Sequence, residues 1–297
     1  MRFSLVILLA FSGLLFFGSG SLAMTTEKAA APEGYSILFT SHRDEDFDVY
    51  EMTPDGTILA QLTNRAGTQG YADISPDGSS IAFYSYTNMV TWSLYMMNSD
   101  GSNLRRLTNV PGSWDSAPAW SPDGTMIAFN REAGGISEIW VMDADGSNQR
   151  RVGAVNGGSP AWSPDGERLV FSGLVGEDTE IFIMNADGSE LSQLTYTNAE
   201  EWWPSWSPDG TRLAFMSDRD GNWEIYTSDL EGGNVLRLTN HGAEDRSPVW
   251  SPDGEQLVFV SNRDGNYEIY TMHADGSELS RLTNHPDSDI QPSWKIR

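Results

Sequence analysis

Four acidic residues hold one position in a recurring stretch: Asp115, Glu201, Asp245 and Asp289 each stand three residues before a proline. In EWWPSW (201–206) and DRSPVW (245–250) a Trp follows that proline by two residues. Glu200 and Glu244 add a second acid beside two of them, whereas Gln69 and Gly157 fill the same place in two other copies. Carboxylates brought together focus a negative potential, which suits a cation or a basic group of a partner. Calcium takes several oxygen ligands, so Asp115, Glu201, Asp245 and Asp289 are candidate Ca2+ ligands, although no cofactor is required by the sequence. Trp202 lies beside Glu200 and Glu201, and an aromatic face next to carboxylates suits a Lys or Arg side chain or a sugar. The candidate partner-binding set is therefore Asp115, Glu200, Glu201, Trp202, Glu244, Asp245 and Asp289.

A second stretch, SDRDGNWEIY (217–226), places Asp218, Asp220, Asn222 and Glu224 at alternate positions around Gly221. It resembles a calcium loop, but the glycine and the glutamate come too early for the helix-loop-helix pattern. The stretch recurs as SNRDGNYEIY (261–270) and SHRDEDFDVY (41–50). Turn formation explains its Asp and Gly residues. The glutamate slot, filled by Asp48, Glu138, Glu180, Glu224 and Glu268 with Ser93 in the other copy, is expected to accept backbone N–H bonds from the next loop. In the 41–50 copy Glu45 replaces the glycine, which gathers Asp44, Glu45, Asp46 and Asp48 into a second cation candidate.

The elements that must position these residues come from a repeat. SPDG begins at Ser75, Ser121, Ser163, Ser207 and Ser251, and a variant, APEG, begins at Ala31. Trp120, Trp162, Trp206 and Trp250 precede the later copies, with Ile74 before the first and Trp294 in the same register after the last. One unit holds a short strand ending at Trp, then RLAFMS, WEIYTS and NVLRLTN, each joined by hairpin chemistry such as S-P-D-G or A-D-G. A repeat of this length with four strands predicts an all-β, six-bladed β-propeller of four-stranded blades. QPSWKIR supplies only the Trp strand that the first unit lacks, so the C-terminal strand is expected to pair with the N-terminal blade and close the ring.

WSPDG, RDGNWEIY, ADGS and LTN resemble the TolB-type, or WD-like, β-propeller repeat family over about residues 31–297. The resemblance implies a six-bladed propeller in exported bacterial proteins, usually serving protein association. Some members carry an α/β domain before the propeller; only residues 24–30 precede the repeats here, so that domain is not expected. Related propellers gate hydrolases, but the chain has no G-x-S-x-G elbow.

Residues 1–23 read as a secretory signal peptide: one Arg, an apolar run from Leu5 to Phe17, and small residues ending at Ala23. The expected division is a signal peptide (1–23), a short tail (24–30) and the propeller (31–297), in a periplasmic or secreted protein. No later run is long and apolar enough to span a bilayer. Cysteine is absent, which excludes disulfides, thiol catalysis and lipid attachment through Cys. The 42 acidic against 18 basic residues argue against nucleic acid and anionic membranes as partners. The four histidines, His42, His241, His273 and His285, fall on rims and turns, where the repeat brings no catalytic set together.

Function is expected where the repeat is broken on the face of the crossovers and the loops between second and third strands. Trp92, Trp114, Trp202 and Trp203 break it, as does the short, Gly-rich crossover VGAVNGGSP (152–160). The expectation is a monomeric, non-enzymatic binder of a protein or peptide with a basic surface. The alternative is a carbohydrate-binding or carbohydrate-active propeller using Trp202 and its neighbouring acids.

Overall fold

The computed structural model describes residues 34–87 and 91–296. The expected signal peptide, the 24–30 tail and the APEG turn at 31–33 lie outside the described residues. The described residues form strands joined by turns, without a helix. Alternating apolar positions, β-branched and aromatic residues, and a Gly-bearing turn at each end leave the chain no other regular structure.

The first unit contains β1 (Tyr35–Asp44), β2 (Asp46–Met52) and β3 (Ile58–Gln61), with the last strand, β24 (Asp289–Ile296), paired to β1 on the side away from β2. Unit 2 is β4 (Thr68–Ile74), β5 (Ser80–Thr87), β6 (Thr91–Asn98) and β7 (Arg105–Arg106). Unit 3 is β8 (Ser113–Trp120), β9 (Met126–Ala133), β10 (Ile136–Asp143) and β11 (Arg150–Val152). Unit 4 is β12 (Gly157–Trp162), β13 (Arg168–Val175), β14 (Asp178–Asn185) and β15 (Ser192–Gln193). Unit 5 is β16 (Glu201–Trp206), β17 (Arg212–Ser217), β18 (Glu224–Asp229) and β19 (Leu236–Arg237). Unit 6 is β20 (Asp245–Trp250), β21 (Gln256–Ser261), β22 (Glu268–His273) and β23 (Ser280–Arg281). Each unit is an antiparallel meander, and one parallel pair, Trp92 opposite Trp114, joins units 2 and 3 into a single eight-stranded sheet. This is a propeller-like all-β fold of four-stranded sheets.

The C-terminal strand pairs antiparallel with β1, setting Ile37 opposite Trp294. The core repeats with the sequence. Phe39, Phe83, Phe129, Phe171, Phe215 and Phe259, one on the second strand of each unit, are all buried. Cross-strand aromatics cover them, as Tyr226 does Phe215 with ring centroids 6.1 Å apart. The SPDG turns are built as their sequence requires: Ser207 Oγ donates to Asp209 at 2.5 Å, the Gly210 N–H donates to the Ser207 carbonyl at 2.9 Å, and Gly210 takes a φ of 69°.

The third-strand acids Glu180, Glu224 and Glu268 accept an N–H of the next loop, whereas Glu138 meets Arg151 and the Trp140 indole. Glu224 accepts from the His241 N–H at 2.8 Å and from Arg237 at 2.8 Å, and Glu268 accepts from the His285 N–H at 2.8 Å. Thr239 and Thr283 of the LTN segments bridge the same carboxylates to the backbone of the third strand.

Candidate functional site

The repeated acids of the inner strands do not face one another. Asp115, Glu201, Asp245 and Asp289 are 0–1% exposed, and each meets an arginine. Arg131 grips Asp115 with two bonds of 2.7 and 2.8 Å, Arg263 holds Asp245 at 2.8 and 2.9 Å, and Arg43 holds Asp289 at 2.9 and 3.1 Å. Arg219 bonds only one oxygen of Glu201, and Glu201 Oε2 is buried without a hydrogen-bond partner.

Each guanidinium also lies over the aromatic pair of its own unit, for example 4.5 Å from the Trp140 centroid for Arg131 and 4.7 Å from that of Tyr226 for Arg219. Burial still holds the Asp289 carboxyl above the usual range, against the opposing pull of Ser41 and Arg43.

The expected convergence of Asp115, Glu201, Asp245 and Asp289 on a cation is thus corrected. A buried carboxylate needs a partner, and here each is bound by an arginine of its own sheet. No group of three or more His, Asp or Glu able to hold a metal occurs among the described residues. These four residues therefore do not fit a calcium site.

The calcium-like loop is likewise filled by protein donors. Asp218 accepts from the Glu200 N–H at 2.9 Å, Asp220 from Tyr226 at 2.5 Å and from Arg237 at 3.1 Å, and Asn222 donates to the Ala243 carbonyl at 2.6 Å. In the first unit Asp44 accepts from Tyr50, and Asp48 from Thr63.

Glu200, Trp202 and Glu244 are half-buried and reach the surface. The Trp202 indole donates to Glu200 at 3.0 Å. Glu244 pairs with Arg246 at 2.8 Å and accepts from Tyr267. Arg246 itself lies 5.6 Å from the ring centroids of both Trp223 and Tyr267. Trp202, Trp203 and Trp223 pack against one core cluster drawn from units 5 and 6.

The inner strands also line a central cavity of about 330 Å³, to which β4, β8, β12, β16, β20 and β24 all contribute. Each carries a bulge at the same place. There Tyr71, Ala117, Ser159, Trp203, Ser247 and Gln291 adopt φ of 48–57°, a region costly for residues with a Cβ. The scaffold thus places five kinds of side chain at six equivalent positions of the cavity.

Tyr71 and Trp203, three units apart, stack there at 4.9 Å and 14°. Gln291 accepts from the Tyr71 N–H at 2.9 Å and from Thr40 at 2.8 Å. Asp73 is the one acidic residue in the cavity wall. Burial pushes its carboxyl up to about 6, against hydrogen bonds from the Trp120 N–H and Ser293.

Sequence reasoning missed this level of the cavity and the arginines. Arg43, Arg219 and Arg263 each follow the last serine of a second strand by two residues, in units whose inner strand carries the acid, and that coincidence was a usable signal.

No helix among the described residues is long and apolar enough to cross a membrane. No curated protein matches the chain. Among solved structures it is similar to TolB from Acinetobacter baumannii, with 21% identity, 89% of this chain and 68% of that one covered, and a TM-score of 0.80. A putative TolB from Agrobacterium tumefaciens matches at 21% identity over 89% of this chain and 98% of that one, with a TM-score of 0.70. An oligogalacturonate lyase in complex with manganese matches at 16% identity over 88% of this chain and 77% of that one, with a TM-score of 0.61. At these identities the likeness is one of fold. The family model for the TolB beta propeller domain matches residues 19–159 and 153–249, most of the sequence, and the chain belongs to that family.

Proposed function

We propose that residues 31–297 form one six-bladed propeller, closed by β24 adding to β1, that works as an exported, non-enzymatic binder of a protein or peptide. The observation that carries this reading is the half-buried patch of Glu200, Trp202 and Glu244, which breaks the repeat and stays at the surface while the repeated acids turn inward. An aromatic face edged by carboxylates suits a basic side chain, and the strongly acidic chain favours a partner with a basic surface. The signal-like segment 1–23 supports a periplasmic or secreted location.

The test uses the chain without residues 1–23 as bait in an envelope extract, across a salt series. A specific partner is expected at low salt, released as salt rises, and lost from a Glu200→Gln, Trp202→Ala, Glu244→Gln variant. Capture unchanged in that variant would reject the patch. The second reading, carbohydrate binding, has in its favour the fold shared with oligogalacturonate lyase. Retention on a glycan panel that depends on Trp202, without a protein partner, would favour it.

A further inference from the structure

A notch of about 610 Å³ opens between units 2 and 3, on the SPDG face, opposite the patch discussed above. Its walls include Ser80, Trp120 and Arg105, with Asp77, Asp123 and Asp145 around them. The other junctions explain why it is there. At two of them the residue that opens the second strand of a unit lies over the inner-strand Trp of the next unit.

Arg168 fills that place over Trp206, 5.2 Å from the ring centroid, and Arg212 fills it over Trp250 at 4.7 Å. Met126 packs with the cluster that holds Trp162. At Trp120 the same position is Ser80, too short to reach across.

The indole N–H groups differ between the junctions as well. The indole N–H groups of Trp162, Trp206 and Trp294 donate to carbonyls of the preceding unit at 3.1–3.3 Å, whereas that of Trp120 is buried without an acceptor. Trp250 also lacks an acceptor but keeps its arginine.

The turn acids show the same gap. Arg168 and Arg212 help to hold Asp165 and Asp209 below the usual carboxylate range, behind the hydrogen bonds of their own turns. Asp77 and Asp123 are held low by their turns alone, so they stay charged with no arginine beside them. The guanidinium of Arg105 is already bound to the carbonyls of Asp145 and Ala144 and to Met96 Sδ, at 2.8, 3.2 and 3.0 Å, which leaves three carboxylates against one cation.

We propose that this notch is a docking site for an arginine side chain of a protein partner, which takes over Trp120 the place that Arg168 and Arg212 take over their tryptophans. The occupant is fixed by the chain's own example: the same fold, the same ring and the same turn acids, with a guanidinium between them. The site lies on the other face from Glu200, Trp202 and Glu244, and stands or falls independently of them.

The test is a titration of the folded protein with a short peptide carrying one arginine and, separately, with the same peptide carrying citrulline, its neutral analogue. Binding is followed at the indole N–H resonances by NMR. The arginine peptide is expected to move the Trp120 resonance and to bind about fivefold tighter than the citrulline peptide. Ser80→Arg, which supplies the residue used at two other junctions, is expected to abolish the shift. Ser80→Met, the uncharged filling of the Met126 type, should do the same and serves if the arginine variant folds poorly. Equal affinity for the two peptides, no shift at Trp120, or a shift that persists in a folded Ser80 variant would overturn the proposal.

Discussion

One cross-strand pair sets units 2 and 4 apart from the other four. In unit 3 that pair is Asp115 opposite Arg131; in units 5, 6 and 1 it is an acid opposite Ser217, Ser261 or Ser41, with an arginine two residues on bonding both partners. Unit 2 has Gln69 opposite Ser85 and unit 4 has Gly157 opposite Gly173. The acid and its arginine are present together or absent together. The lesson is that the acid and its arginine act as one device for filling a blade.

Where the device is missing, its space is treated in two ways. In unit 4 the backbones close in, and a Cβ at Gly157 would lie 2.4 Å from the Ser172 carbonyl oxygen. In unit 2 the polar atoms stay, and Gln69 Oε1 and Ser85 Oγ are buried without partners.

The largest effect expected from breaking this arrangement comes from removing residues 289–297. That deletes β24, with Asp289 and the buried Trp294, and leaves Arg43 without its acid. Loss of the Trp alone costs about 3–5 kcal/mol, so the thermal midpoint should collapse. An unchanged midpoint would refute closure through β24.

Next is Arg131→Met, which strands the buried Asp115 carboxylate at a cost of about 3–5 kcal/mol in a denaturant titration. Adding Asp115→Leu should recover most of that loss, because it removes the uncompensated charge. Failure to recover would mean that the pair does more than balance itself. Gly157→Ala comes third, with about 1–3 kcal/mol expected from the clash with backbone that cannot easily yield.

The smallest effect is a pH dependence. The folded Asp73 carboxyl sits near 6, above its unfolded value, so the folded state holds the extra proton between about pH 4 and 6. Its contribution favours folding at the acid end and fades as pH rises through 6. Asp73→Asn should remove on the order of 1–2 kcal/mol from the stability difference between pH 4.5 and 7, read as wild type minus variant. Identical slopes in the two proteins would place no raised carboxyl at Asp73.

Much of the fold was legible in the sequence, because each SPDG and ADG turn fixes its own hairpin locally and the Trp register sets the period. The pairing of β24 with β1 was legible for the same reason: QPSWKIR carries one strand's signals and no others. The direction of the inner-strand acids was not. Spacing located Asp115, Glu201, Asp245 and Asp289 along their strands, but the bulge two residues on turns each strand, and the arginines draw the carboxylates inward. The stacking of Tyr71 on Trp203 had no local signal, since it depends on how the units face one another. Asp73 was overlooked because its neighbours, Ala72 and Ile74, read as an ordinary inner strand.

The most direct test of internal pairing is the thermal midpoint with and without millimolar calcium, in the wild type and in an Asp245→Asn, Asp289→Asn variant. Carboxylates already bound by Arg263 and Arg43 predict superimposable wild-type melts. A rise of several degrees with calcium in the wild type, lost in the double variant, would show that these acids serve a metal and would contradict their role as internal partners of arginine.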